Sequence, residues 1–247
     1  MHKFPVGSWV SANSGTRRGV VRGHHGQHTL VRWLGHKKAR AELTRKLHDS
    51  SAPRALVLEG SMDPDLTSLR SEADLLRTWF TASLVPIAYK NIHALTDIPI
   101  LTSDIRRNPP PFVHISCHGD HDEKKRAYIT FAPKRVERNR IYLCDAETQR
   151  VFRDAFEGMP VFFSACLLGR YQKDLTEFRR AAGLSGVAGF TRSVDDSDSM
   201  IFELLLYQGV LFNHWTFRTA VRRALEAMEI LKIHGGKGMA QKLVRVF

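Results

Sequence analysis

The sequence predicts an α/β protein: a mostly parallel sheet with helices on both faces, preceded by a small β-barrel-like module. Two patterns carry this expectation. From residue 54 onward, short apolar runs alternate with stretches whose apolar residues recur at helical spacing, as in strand–helix–strand units whose sheet is covered on both faces. Ahead of them, residues 4–36 are cut by glycines into short β-like pieces. The chain has 247 residues, 43% of them hydrophobic, which allows one or two domains and a sizeable core.

The β-like pieces are Gly7–Val10, Gly15–Arg22 and Gln27–Leu34, closed by Gly35. Their Gly19-Val20-Val21 and Val31-Arg32-Trp33 runs resemble those of small SH3-like or KOW-like modules. His24, His25 and His28 read as a polar hairpin loop rather than a metal site. Lys37–His48 reads as a basic helix or linker, and Ser50-Ser51-Ala52-Pro53 as a boundary. The expected division is therefore residues 1–48 and 49–247.

Charge follows the same division. Residues 1–48 hold ten Lys and Arg against one acid, Glu42, a net +9, while the remaining 199 residues carry +3. Such asymmetry points to a basic surface for nucleic acid or an acidic partner; the plainer alternative is a solvated face. The most apolar stretch, Met200–Phe212, is interrupted by Glu203 and Gln208, too short and too polar to span a membrane. Met1–Trp9 has no apolar signal core. Three cysteines, Cys117, Cys144 and Cys166, do not make a disulfide framework. The expectation is a soluble cytoplasmic protein without membrane partners or cofactors.

Ala55–Glu59 reads as a strand. Leu69, Ala73, Leu76 and Phe80 recur at helical spacing behind Thr67 or Ser68 as caps. Val85–Tyr89 is the next strand. Thr102-Ser103-Asp104 opens a short helix that Pro109-Pro110-Pro111 stops. Phe112 to Gly119 follows as a strand, then a charged loop over 121–126 and strands at Ala127–Phe131 and Ile141–Leu143. Asp145 caps a helix to Glu157. Val161–Gly169 contains a buried strand, and a helix then ends at Ala181-Ala182-Gly183, where glycine suits the left-handed position. Ser185–Phe190 is a core strand. A polar loop from Thr191 to Asp198 precedes two helices, the second striped by Phe217, Val221, Leu225, Met228 and Leu231.

Two strands end in residues with chemistry: one in His118-Gly119, the other in Cys166. Strand ends of open parallel sheets are where ligands bind. If the two strands are neighbours, an imidazole meets a thiol, which is what a cysteine nucleophile needs. Cys166 would attack a carbonyl as thiolate, and His118 would protonate the leaving amine. The backbone N–H groups of Gly119 and Cys166 are the natural oxyanion donors. A side chain at 119 would obstruct the scissile carbonyl. Taken singly, each residue reads as structural, since cysteine is among the most buried residue types. His114 reads as packing beneath the site and Cys117 as a buried bystander. Strand alternation separates His114, Cys117, His118 and His121, so no metal site is expected.

Taken together, His114 to Gly119, Ala165 to Gly169, Gly186 to Phe190 and Val194 to Asp196 resemble the caspase-like cysteine peptidases. The CHAT type, a branch that includes relatives of separase, is the most similar. The resemblance covers roughly residues 54–235. It implies a caspase-like sheet and a cysteine endopeptidase with a His118–Cys166 dyad acting on protein or peptide substrates. It also implies control by a regulatory partner. Arg192 stands where CHAT proteins usually carry tryptophan. The loop from Arg192 to Asp198 is the candidate specificity pocket. Asp195, Asp196 or Asp120 would select a basic residue through carboxylate–guanidinium pairing, whereas Arg192 would select an acidic one. A solvated loop capping the next helix is the third alternative. The rival to an enzyme is a caspase-like binding module without catalysis, whose basic N-terminal region binds nucleic acid or an acidic partner.

Overall fold

The computed structural model describes residues 3–12, 18–33, 36–50, 55–60, 72–83, 85–102, 105, 109–131, 139–231 and 243–247. The boundary at 50–53, the caps Thr67 and Ser68, Leu69, Ser103 and Asp104 lie wholly or partly outside them.

Five strands come first: β1 (Trp9–Ala12), β2 (Arg18–His25), β3 (His28–Trp33), β4 (Arg40–Leu43) and β5 (Leu47–Asp49). They form an antiparallel sheet in the order β4-β3-β2-β1-β5. The β2–β3 hairpin closes over Gly26-Gln27 with His25 opposite His28. Gly26 takes φ +57° there, a backbone that glycine adopts at little cost. Phe4, Val10, Val21, Val31, Trp33 and Leu47 make a separate small core. The basic stretch 37–48 is a correction to the expected helix or linker. It holds β4, a 3₁₀ turn at Thr44–Lys46 and β5. Leu43 and Leu47 fit a helical spacing, but pairing with β3 and β1 decides the outcome.

The remaining elements are β6 (Ala55–Glu59), α1 (Glu72–Ser83), β7 (Ile87–Asn91), α2 (Asp97–Thr102), β8 (Val113–Ser116), β9 (His118–His121), β10 (Ala127–Thr130), β11 (Ile141–Tyr142), α3 (Ala146–Phe156), β12 (Pro160–Ser164), α4 (Gln172–Ala181), β13 (Gly186–Phe190), α5 (Asp196–Tyr207), α6 (Phe217–Ile230) and β14 (Val244–Val246). A six-stranded sheet runs β14-β13-β12-β8-β6-β7. All its pairings are parallel except β13 with β14.

Alternation along the strands sends side chains to two cores. Leu56, Leu58, Val113, Ile115, Val161 and Phe163 pack under α2, α3 and α4, through residues such as Ile98, Phe152 and Phe178. Ala55, Val57, Phe162, Ala188 and Phe190 pack under α1, α5 and α6, through Phe80, Phe202 and Val221. Both faces are buried, as continuous apolar strands require.

Two local expectations change. Thr102 is the last residue of α2, and the rest of the short helix expected from Thr102-Ser103-Asp104 lies outside the described residues except at Ile105, which is in a 3₁₀ turn; Asp97, at the start of α2, accepts the N–H groups of His93 and Ala94 at 2.9 Å each. The His118 strand is two strands. β8 stops at Ser116, and His118 opens β9 in a separate antiparallel sheet ordered β11-β10-β9. Among the described residues no helix is long and apolar enough to cross a membrane.

Phe162 is fully buried on β12 and meets the rings of Phe190, Phe202 and His114. Phe162→Ala should lower the unfolding free energy by about 3–5 kcal/mol, read from the urea midpoint. An unchanged midpoint would contradict this packing.

Candidate functional site

The site is built where β8 and β12 leave the sheet side by side. Ser116 and Ser164 are register partners, and the Cys117 N–H donates to the Ser164 carbonyl at 3.2 Å. The next residues on each chain are His118-Gly119 and Ala165-Cys166. Gly119 lies directly on the cysteine turn. A Cβ there would stand 2.6 Å from the Cys166 carbonyl oxygen, 2.8 Å from Leu168 Cγ and 3.1 Å from Ala165 Cβ. The structure thus gives glycine a packing reason of its own: a side chain at 119 would push the two strand ends apart.

The turn after Cys166 is tightly held. Leu167 takes φ +64°, an uncommon conformation for a residue with a side chain, and such conformations cluster at functional sites. Its N–H donates to the Arg192 carbonyl at 3.3 Å, and the Leu168 N–H donates to the Cys166 carbonyl at 2.8 Å. Gly169 follows against the carbonyl of Gly189 with no room for a Cβ. Cys166 itself is half-buried, whereas Cys117 is buried and Cys144 exposed. Among the described residues its thiol makes no hydrogen bond.

On the other side, the β9–β10 hairpin carries His118 and Gly119 opposite Thr130 and Ile129. Asp122 clamps its turn. The carboxylate accepts the Arg126 N–H at 2.9 Å, its Nε–H at 2.8 Å and its Nη2–H at 2.7 Å. Desolvation raises the Asp122 pKa, but these donors outweigh it and hold the carboxyl below its ordinary value.

The predicted selectivity residues differ in placement. Arg192 sits beside the cysteine turn through its main chain. Asp120 accepts His121 N–H at 2.8 Å and lies 2.9 Å from His121 Nδ1, with both side chains partly exposed. Asp195 is exposed at the start of α5, where its carbonyl, not its side chain, receives Asp198 and Ser199 N–H. Asp196 opens α5, and its side chain lies outside the described structure.

One feature beneath the site is not legible in the sequence alone. Ser164 Oγ donates to Glu203 Oε1 at 2.6 Å, in full burial. The same oxygen lies 3.9 Å from His114 Nε2, and His114 Nδ1 is 3.1 Å from the Tyr207 hydroxyl. Strands β8 and β12 are thereby tied to α5 by polar groups inside an aromatic core. The available signal is Glu203 itself, the one acid in the apolar run from 200 to 212. His114 is placed as expected, buried below the strand end. Among the described residues no group of three His, Cys, Asp or Glu is arranged to hold a metal ion.

Two outcomes test this geometry. Ser164→Ala removes a donor from a buried carboxylate and should cost about 1–3 kcal/mol in chemical denaturation; a neutral result would mean that the Glu203 contact carries no weight. The Asp122 clamp has a folded pKa below the unfolded one. Its contribution is therefore present above the ordinary carboxylate range and lost as pH falls through the depressed value. Hydrogen exchange at the Arg126 amide, corrected for intrinsic rate, should quicken relative to strand β12 amides below about pH 4. An equal response of the two would show that the carboxylate does not hold the hairpin turn.

No protein-family model matches the chain, and no curated protein matches it. Solved structures do. A secreted C11 cysteine protease from Bacteroides thetaiotaomicron, solved with an irreversible peptide inhibitor, aligns with TM-score 0.51 at 8% identity. The alignment covers 79% of this chain and 65% of that one, so this chain spans just under two thirds of the protease. The Saccharomyces cerevisiae separase–securin complex aligns at TM-score 0.42 and 11% identity, over 79% of this chain and 12% of that one. Parallel strand order, helices on both faces and the C11 alignment together make this a mixed α/β chain of caspase-like fold.

Proposed function

We propose that the protein is a cysteine endopeptidase acting through Cys166 and His118. The observation that carries this reading is the seat of Gly119 on the Cys166 carbonyl, at the strand ends of a fold shared with a cysteine protease. It puts the residue after an imidazole against the backbone of a half-buried thiol.

The chemistry follows from these residues. The Cys166 thiolate attacks the scissile carbonyl carbon and forms an S–C bond, and the carbonyl electrons move to oxygen. The N–H groups of Gly119 and Cys166 receive that oxyanion. The C–N bond then breaks, and the imidazolium of His118 gives its proton to the departing amine. Water attacks the thioester with His118 as base, releasing the acid and restoring the thiol. Asp195 and Asp196, on the chain that leaves the cysteine turn's neighbour Arg192, are the proposed receptors for a basic side chain. Asp120 is the weaker choice because His121 already engages it.

The test is intact-mass labelling by peptides bearing an electrophile, varied at the residue before it. The wild type should label once, at Cys166, fastest with Arg or Lys. Cys166→Ala should not label at that position, and His118→Ala should slow substrate turnover by about 10²–10⁴. Fastest labelling after Asp or Glu would transfer selectivity to Arg192. A folded protein that no peptide labels would overturn the enzyme reading in favour of a binding module.

A further inference from the structure

We infer that the β4 edge of the N-terminal sheet is a binding surface for the phosphate backbone of nucleic acid. This stands apart from the peptidase reading and needs nothing from Cys166.

Five of the ten cations of residues 1–48 fall within ten residues along one edge. In the strand order β4-β3-β2-β1-β5, β4 is terminal, so one side of its backbone has no partner strand among the described residues. Lys37 and Lys38 precede it, Arg40 opens it, and Arg45 and Lys46 follow in the 3₁₀ turn; all five are exposed. The turn is fixed rather than loose. Thr44 gives its N–H to the Gln27 carbonyl at 3.1 Å and its hydroxyl to the same oxygen at 2.9 Å, and its Oγ1 lies 2.9 Å from that of Thr29. Arg45 and Lys46 are therefore carried on a turn tied to the β2–β3 hairpin.

Residues 1–48 hold little acid to answer this charge. Glu42 is the single one, and its carboxylate accepts the Trp33 indole N–H at 2.9 Å. Among the described residues, Lys37, Lys38, Arg40, Arg45 and Lys46 make no ion pair. Elsewhere, Arg126 pairs with Asp122, and Arg222 and Arg223 pair with Glu226.

The chemistry selects among polyanions. A membrane surface needs apolar side chains to insert beside the cations. The large hydrophobic side chains exposed among the described residues are Val6, Ile100, Trp215, Ile230 and Leu231, none of them on this edge. A protein partner draws affinity from a buried aromatic or aliphatic anchor, whereas the exposed residues of 36–46 are His, Lys, Ala and Arg. What remains is a row of exposed Lys and Arg on a fixed edge. It suits a polymer of regularly spaced phosphates, whose affinity comes from releasing condensed counterions. A charged edge strand also discourages strand-to-strand aggregation, and salt dependence of binding separates that role from this one.

The experiment is fluorescence anisotropy of the full chain with a labelled 20-nucleotide single strand and a 20-base-pair duplex, each as RNA and as DNA. Neutralising about three to five phosphates predicts that duplex affinity falls about 40- to 500-fold between 50 and 200 mM salt. Lys37→Gln/Lys38→Gln/Arg40→Gln should weaken binding uniformly across sequences and lower the salt slope by about one for each phosphate that the variant leaves unneutralised. Arg45→Gln/Lys46→Gln should act likewise. Arg222→Gln/Arg223→Gln, which removes charge from α6, should change neither affinity nor slope. Unaltered circular dichroism and melting of each variant would exclude misfolding. The inference is overturned by no binding at 50 mM salt, by β4-edge variants that bind like wild type, or by equal weakening in the α6 variant. Binding to vesicles of anionic lipid without binding to any nucleic acid also overturns it.

Discussion

Everything at the candidate site depends on the register between β8 and β12. Two parallel strands far apart in sequence end level with one another, Ser116 beside Ser164, and one backbone hydrogen bond from Cys117 to Ser164 fixes the level. A slip of one residue would invert the faces of every side chain on a strand. It would also carry Gly119 off the Cys166 carbonyl, the one place where its missing side chain matters most. The apolar alternation that fills both cores is thus also what sets the geometry of the strand ends.

The buried polar set under those ends adds a second level of specification. An apolar core tolerates several packings, because its contacts are not directional. A carboxylate held by a hydroxyl, with an imidazole nearby and that imidazole beside a phenol, accepts few. Glu203 reaches from α5 into the sheet beside Ser164, two residues before Cys166. The helix that begins at the loop with Asp195 is therefore referenced to the same strand that presents the thiol.

Much of the sheet is legible in the sequence, and less of its surroundings. Val161–Gly169 reads as a strand running into a turn because apolar residues pass abruptly to Cys, Gly and charge, and β12 ends there. Phe112 to Gly119 reads as one strand because no glycine or proline interrupts the run before Gly119. The chain changes sheets at Cys117 with no local sign, since the cause is the pairing of His118 with Thr130 on β10. The stretch 37–48 departs from its expected form for a related reason: local spacing favours a helix, and distant partners impose an edge strand. Glu203 is visible as an oddity in an apolar helix, but its meaning needs Ser164, 39 residues upstream. The roles of His118, Cys166 and the aspartates are chemistry inferred from placement.

The cysteine turn is stitched to the chain in both directions: back to Gly119 and forward to the Arg192 carbonyl through Leu167. During synthesis the thiol emerges before Arg192 does, and β13, which underlies Gly169, is still to be made. A growing chain that has reached Cys166 therefore holds an unshaped thiol, and the turn takes its form only after the ribosome has added at least about another two dozen residues. Order of synthesis thus delays the assembly of this corner until most of the sheet is in place, so an incomplete chain carries the same residues without their arrangement.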